Sequence, residues 1–372
     1  MSRKKVLFTS HTANFHKFNR PFMRWFREQG WEVHYASMGE EEILDCDKSF
    51  TVPFTRSPFR LSNIKAYKQL KEIIDRENYD IIHTHTPMGS VVTRLAARDA
   101  RRRGTRVIYT AHGFHFFKGG PLLNWLVYYP IEKFMALHTD TLITINDEDY
   151  QRAKKKFKTD VRYVPGVGVD EKKFKPRLTK SQRNALRKSF AIKPDDFVMI
   201  YPAELSKRKR QLWLINTLAD FIKQHPDVHL LLPGDDSLNG KCQALVSKFG
   251  VSGQIHFLGY RRDIPRLMMA SDLSLSSSSQ EGLPVNLLEA LAAKLPIVAT
   301  NSRGHSDLVK DCVNGYIVGK SDARLFAAKV ANTYKNNNAR IRMAGESLNF
   351  LNGFRMNEIL PIVINIYSRE IS

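Results

Sequence analysis

Cysteine is scarce in this chain. Cys46, Cys242 and Cys312 are three in 372 residues, odd in number and far apart. That spacing excludes a disulfide framework and a structural zinc site, and it suits reduced thiols acting as small apolar residues in a cytoplasmic protein. Long apolar runs are also lacking. The most apolar stretch, 122–135, is interrupted by Asn124, Pro130, Glu132 and Lys133, so no segment approaches a membrane span. The start, Met-Ser-Arg-Lys-Lys, is charged like a signal peptide, but Val6-Leu7-Phe8 is too short an apolar run and is expected to open a buried strand instead. Acidic residues are outnumbered: 37 Asp and Glu face 58 Lys and Arg, a net charge of +21. An anionic partner follows, whether nucleic acid, an anionic membrane surface or a phosphorylated substrate. The first strand–loop–helix has no Gly-x-Gly-x-x-Gly fingerprint, which leaves dinucleotide binding unsupported.

What is present is organised around residues 271–300. Leu273 and Leu275 alternate into a run of four serines, Pro284 stands where a helix can begin, good helix formers follow, and Leu295-Pro296 precedes the compact strand Ile297-Val298-Ala299. The helix start offers unpaired amides between Gly282 and Val285, which suit an anion or a polyol. Glu281 and Glu289 bracket that start. A carboxylate among Leu287, Leu288 and Leu291 needs a partner, and the hydroxyl pair of a sugar or ribose would serve. The same spacing also suits one capping glutamate and one solvated one.

The length favours two domains. In the first half, strands are expected at 6–9, 31–36, 80–85, 106–111 and 141–145, with helices at about 21–29, 61–74 and 89–103. His11 and His16 sit in the first strand-to-helix loop, where they either reach a ligand or serve structure. His83 and His85 share one side of a strand; no third ligand follows at metal spacing, so one of them is expected to line a cleft. His112-Gly113 follows a parallel strand at its carboxyl end, where α/β proteins bind ligands. The aromatics behind it, with Trp125, Tyr128 and Tyr129, form either core or a greasy surface beside basic residues that would suit a membrane interface. Asp147-Glu148-Asp149 and Asp45-Cys46-Asp47 match Asp-x-Asp, but the first is explained by helix capping behind Asn146 and nothing supports the second.

The turn-rich stretch 165–170 marks a boundary between domains 1–170 and 171–372. A second α/β pattern restarts at Phe197. Lys207-Arg208-Lys209-Arg210 stands at a strand-to-helix turn, poor electrostatics for a helix start unless an anion such as a diphosphate sits there, although charge runs are often only a solvated face.

Two α/β domains with a basic turn and a Glu-Gly loop resemble the GT-B glycosyltransferases. The string Ser-Ser-x-Glu-Gly-x-Pro…Glu-Ala-x-Ala-x-x-x-Pro-Ile-Val-Ala-Thr, with glutamates eight apart, is similar to the signature of glycosyltransferase family 4, the retaining nucleotide-sugar enzymes. His256-Phe257-Leu258-Gly259 and Asn314-Gly315-Tyr316-Ile317-Val318 also match, and the first half looks like bacterial capsule and exopolysaccharide members. The resemblance implies an α/β fold of two Rossmann-like domains facing across a cleft, with the last helix, about 355–372, crossing back to the first. It implies that Glu281 and the loop Gly282, Leu283 and Pro284 hold the donor sugar, that Glu289 binds the ribose diol, and that Lys209 neutralises the diphosphate. His112 would face the donor sugar, with His16 and His85 on the acceptor side. The family arginine before that lysine is Glu204 here, so Arg208 or Lys207 would supply the second charge; Lys294 stands where glycine is common.

The implied reaction moves a hexose or N-acetylhexosamine from a UDP-linked donor to a lipid-linked saccharide in cell-surface polysaccharide synthesis. No metal or other cofactor is expected. The partners expected are the nucleotide sugar, the lipid-linked acceptor and the anionic inner face of the cell membrane, with the protein cytoplasmic and peripheral, and no specific nucleic acid. The alternatives are a GT-B sugar-nucleotide epimerase, or a non-enzymatic basic module for nucleic acid or membrane, which explains the charge but not the Glu281/Glu289 loop.

Overall fold

Parallel strands buried on both faces read as continuous apolar runs. Val6, Leu7 and Phe8, then Ile81 and Ile82, then Val107 and Ile108 are such runs, each essentially inaccessible to solvent. A computed structural model describes residues 3–57 and 60–371. These runs pair there in a seven-stranded, all-parallel sheet. Its strands are β1 (Lys5–Thr9), β2 (Glu32–Ser37), β3 (Lys48–Thr51), β4 (Ile81–His85), β5 (Arg106–Ala111), β6 (Thr141–Thr144) and β7 (Asp160–Tyr163). Their order is β3-β2-β1-β4-β5-β6-β7. The second sheet holds β8 (Phe197–Ile200), β9 (Val228–Pro233), β10 (Ile255–Gly259), β11 (Leu273–Ser276), β12 (Ile297–Thr300) and β13 (Gly315–Val318). It is also all parallel, in the order β10-β9-β8-β11-β12-β13.

The chain divides into two compact units. One runs to Gly168 and resumes at Asn357; the other is Val169–Met356. The last helix, Met356–Ile371, therefore returns to the first unit. Its Ile359, Val363, Ile366 and Tyr367 recur at helical spacing and join the core built from Val6, Phe8, Phe26 and Ile108. Crossing back was expected, and the apolar stripe is its physical cause. The second core is formed by Leu214, Leu218, Leu230, Leu273, Val298 and Phe326, among others.

Several local expectations are corrected. The first helix is His16–Glu28, not 21–29; a turn at Ala13–Phe15 feeds straight into it, and Pro21 is carried inside because Asn19, Phe22, Met23 and Phe26 bury one face. The helix expected over 89–103 is two, Pro87–Ala96 and Arg98–Arg102. Pro87 takes the first position, where its missing amide costs nothing. Strand β3 was not anticipated, because its Lys-Ser-Phe-Thr is polar and lies at the sheet edge. Of the cysteines, Cys242 is buried, Cys46 half-buried and Cys312 exposed. Asp45 and Asp47 are structural: Asp45 pairs with Arg20 at 2.7 Å, and Asp47 accepts the Val33 amide at 2.8 Å.

In the second unit a buried arginine ties helix Lys180–Lys188 to the sheet. Arg187 donates to the carbonyls of Ala270 (2.9 Å) and Pro194 (2.9 Å) and to Asp272 Oδ2 (2.7 Å), while Asp272 Oδ2 also accepts the β8 amide of Val198 (2.8 Å). Removing Arg187 strands the Ala270 carbonyl, while Asp272 keeps Arg183 at 2.7 Å. Arg187→Met is expected to cost about 3 kcal/mol and lower the melting temperature by roughly 6 °C or more. A thermal melt superimposable on the wild type would show that this network does not hold the helix.

Candidate active site

In each sheet the strand order reverses beside the first strand of the unit, between β1 and β4 and between β8 and β11. Ligands of open α/β sheets bind outside the carboxyl ends of strands at that reversal. The loops leaving β8 and β11 carry the basic turn and the Glu-Gly loop. Gln211, fully buried, shapes the first: its Oε1 accepts from the Ser206 amide (3.1 Å) and its Nε2 donates to the Glu204 carbonyl (2.9 Å).

The serines after β11 then stitch the two loops together. Ser277 Oγ donates to the Lys209 carbonyl at 2.8 Å, Ser279 donates to the Arg208 carbonyl from both N (2.9 Å) and Oγ (3.1 Å), and Tyr201 Oη donates to the Lys209 carbonyl at 3.1 Å. The four-serine run is thus a fastening for the basic turn, a role that periodicity could not show.

The fastening brings together residues that the sequence placed some seventy positions apart. Lys209 Nζ lies 2.5 Å from Glu281 Oε1, and Arg208 Nη1 lies 3.0 Å from Glu281 Oε2. Burial by itself would raise the Glu281 pKa, but the charges of Lys209 and Arg208 outweigh it and pull the carboxyl down to about 2. Arg208 therefore brings the second positive charge to Glu281. Glu204 is exposed and accepts from Ser237 Oγ at 2.5 Å, and Lys207 is exposed.

Glu289 lies part-exposed on helix Val285–Ala292. Pro284 caps that helix and is buried, as is Leu283. Lys294, just past its end, has φ +58, the left-handed conformation for which glycine is favoured. Gly304 has φ +83, and a Cβ there would stand 2.6 Å from the Gly282 carbonyl oxygen, so only glycine lets this backbone meet the Glu-Gly loop. His305, which sequence reasoning passed over, underpins the site: its Nε2 pairs with Ser276 Oγ (3.0 Å) and its Nδ1 with Ser302 Oγ (2.9 Å). A histidine five residues beyond a strand end, beside a glycine, was the available signal.

In the first unit, His83 and His85 do share a side of β4, their rings 4.2 Å apart. His83 Nδ1 meets Tyr367 Oη at 2.7 Å and its Nε2 meets Thr110 Oγ1 at 2.8 Å. His85 Nδ1 meets His112 Nε2 at 3.1 Å. Burial depresses all three: His83 to about 3, His112 to about 4, and His85 well below the ordinary value. His16 Nδ1 lies on the Ala13 carbonyl at 2.8 Å, and Arg56 Nε donates to His11 Nε2 at 2.8 Å.

Asn146 caps helix Asp147–Lys156 through the Asp149 amide, as expected, and buried Asp149 also accepts the Phe114 amide at 2.9 Å, fixing the chain after His112. Among the described residues, the group with metal-ligand spacing is Glu32, His34 and Glu77. Lys48 (2.8 Å) and Lys5 (3.2 Å) already pair with Glu77.

Two all-parallel, doubly wound units, the second with an acid–base cluster at its sheet reversal, define the GT-B architecture. HepE of Anabaena, solved in complex with UDP and glucose, has the same fold, with a TM-score of 0.81, 19% identity and coverage of 99% of this chain and 100% of that one. The family model for glycosyl transferases group 1 matches residues 182–347, and the one for glycosyl transferase 4-like proteins matches 5–146. EpsD of Bacillus subtilis, which bears a glycosyltransferase's name, is 42% identical over 89% of this chain and 87% of its own length. The UDP-Gal:alpha-D-GlcNAc-diphosphoundecaprenol alpha-1,3-galactosyltransferase of Escherichia coli is 28% identical over 87% and 84%. The chain belongs to this glycosyltransferase family, and the protein is a transferase enzyme.

Glu281 is held charged by its cations, so its contribution to stability is complete above about pH 4.5, its unperturbed value, and fades as pH falls toward about 2. Glu281→Gln mimics the protonated acid. The melting-temperature gap between wild type and Glu281→Gln is therefore expected to stay constant from about pH 8 to 5 and to narrow below about pH 4.5. A gap that closes near neutrality would contradict the ion-pair geometry.

Proposed function

We propose that this transferase moves a hexose or N-acetylhexosamine from a nucleoside diphosphate sugar, UDP-linked, to a lipid-linked saccharide in cell-surface polysaccharide synthesis. The observation that carries the reading is the convergence of Lys209 and Arg208 on Glu281 at the sheet reversal of the second unit. Two cations on one carboxylate are a ready diphosphate site, since the anion shares the charge that Glu281 alone now holds. Glu281, with the amides of Gly282 and Leu283 behind Pro284, receives the donor sugar hydroxyls, and Glu289 the ribose diol. His112 faces the donor sugar, and His16 stays an acceptor-side candidate.

The bond from the anomeric carbon to the diphosphate breaks with both electrons leaving on the phosphate oxygen. Lys209 and Arg208 stabilise that oxygen, supplying charge that an ion provides elsewhere, so catalysis is independent of added metal. The acceptor hydroxyl attacks the same face through an oxocarbenium-like state, retaining configuration, and passes its proton to the departing phosphate oxygen. The lipid-linked acceptor is supported by the diphosphoundecaprenol substrate in the name of the Escherichia coli relative.

Attachment to an anionic inner membrane face draws support from helix Leu122–Met135. Leu122, Leu123 and Leu126 are 74%, 68% and 67% exposed, and Phe134 and Leu137 are also exposed. Of the two readings left open for the nearby aromatics, packing prevails: Phe114 and Phe116 stack within the core, and Trp125, Tyr128 and Tyr129 lie half-buried against it. Exposed Lys118 and Lys133 accompany the leucines, and Arg101 Nη1 donates to the Leu137 carbonyl at 3.0 Å. Apolar residues framed by cations suit an acidic bilayer surface. Buried Arg94 anchors the helix through Glu132 at 2.9 Å. No helix among the described residues is long and apolar enough to cross a membrane.

A nucleotide-sugar screen by thermal shift and hydrolysis is expected to select one donor, with binding weakened roughly tenfold or more by Lys209→Ala and by Glu289→Ala, and with turnover unchanged by EDTA. Donor binding unaltered in both variants would overturn the site. Turnover of the sugar nucleotide to an epimer without acceptor would replace transfer with epimerisation. Replacing Leu122, Leu123 and Leu126 with serine is expected to abolish sedimentation with anionic vesicles while leaving donor hydrolysis intact; undiminished sedimentation would sink the membrane face.

A further inference from the structure

The pair His85–His112 carries a consequence for which ring atom does the work. His112 is half-exposed at the carboxyl end of β5, and its Nε2 is already engaged by His85 Nδ1 at 3.1 Å. The atom left for a ligand is Nδ1. His85, only 2% exposed, has its own Nε2 buried and without any partner. The ring is hemmed in by Phe8, 6.4 Å away with its plane nearly parallel, and by Phe15 at 5.5 Å, which also meets the His112 ring edge-on at 4.8 Å.

Each ring is held neutral by burial, so each carries one N–H. If His112 donated from Nε2, His85 would have to keep its proton on Nε2, a buried donor with no acceptor. Orphaned buried N–H groups are rare, and bare acceptors less so. The opposite arrangement leaves only a lone pair unpartnered.

We propose that His85 is a positioning residue: its Nδ1–H donates to His112 Nε2, fixes the His112 tautomer, and so presents His112 Nδ1–H as the hydrogen-bond donor offered to the transferred sugar. This rests on the reading that His112 faces that sugar. His83 cannot substitute for His85, because both its nitrogens are committed to Tyr367 and Thr110. The neighbour gives His85 a different role from acceptor binding. It acts through His112 rather than on the substrate.

The test combines spectra with kinetics on the full chain. With nitrogen-15 in the histidines, two-bond nitrogen–proton correlation is expected to show His112 protonated on Nδ1 in the wild type and on Nε2 in His85→Phe. The His85→Phe kcat is expected to fall on the order of tenfold to a hundredfold with the donor KM little changed. His85→Asn, whose amide can stand where Nδ1 stands, is expected to restore most of it. It also serves against His85→Leu if the phenylalanine variant does not fold. On His112 itself, Asn places an amide near Nδ1 and Gln near Nε2, so His112→Asn is expected to outperform His112→Gln.

A wild-type His112 protonated on Nε2 overturns the proposal. So does a tautomer unmoved by His85→Phe while His112→Ala still loses turnover. If the tautomer moves but neither His85→Phe nor His112→Ala affects kcat, the bond exists and it is the reading of His112 that fails, taking the positioning role with it.

Discussion

A buried carboxylate with two cations on it governs the second unit. Glu281 is 9% exposed, and an ionised carboxylate at that depth is tolerable only because Lys209 and Arg208 meet it. The surrounding loops exist to hold those three groups together. The serines after β11 clamp the carbonyls of Arg208 and Lys209, Gln211 closes the turn from beneath, and Gly304 allows the next loop to lie against Gly282. A chain with an excess of positive charge thus places two of its cations on one buried carboxylate.

Around the carboxyl ends of β4 and β5 the first unit follows a different logic, in which aromatic packing and neutral histidines replace charge. Tyr367, from a helix more than 350 residues into the chain, reaches back to His83, whose ring lies beside His85, which in turn holds His112. The return of the last helix is therefore more than a fold signature. It closes the core behind the β4 histidines, and its hydrogen bond settles how His83 is oriented. The helix with three exposed leucines is fixed from inside by the buried Arg94–Glu132 pair.

Much of this was legible in the sequence. The strands and their parallel pairing followed from buried apolar runs, and the Glu281–Glu289 spacing pointed to the loop that the fold places at a sheet reversal. The resemblance to family 4 was read from that loop, and the family match establishes it. Other features were hidden for identifiable reasons. Strand β3 is polar because it is an edge, so hydrophobic periodicity passes over it. Pro21 suggested a helix start, but a buried face held the helix through it. The departure at Glu204 looked like a missing charge, yet the turn geometry delivers Arg208 to Glu281, and no one-dimensional spacing encodes which of four consecutive basic residues faces the loop. The partnership of His85 with His112 spans two strands and depends on register, which sequence alone leaves open.

A structure of the protein with its selected nucleotide diphosphate bound tests the central claim most directly. The account predicts diphosphate oxygens within hydrogen-bond reach of Lys209 Nζ and the Arg208 guanidinium, with the ribose diol on Glu289. A bound diphosphate that touches neither cation, with Lys209 still seated on Glu281, would contradict it.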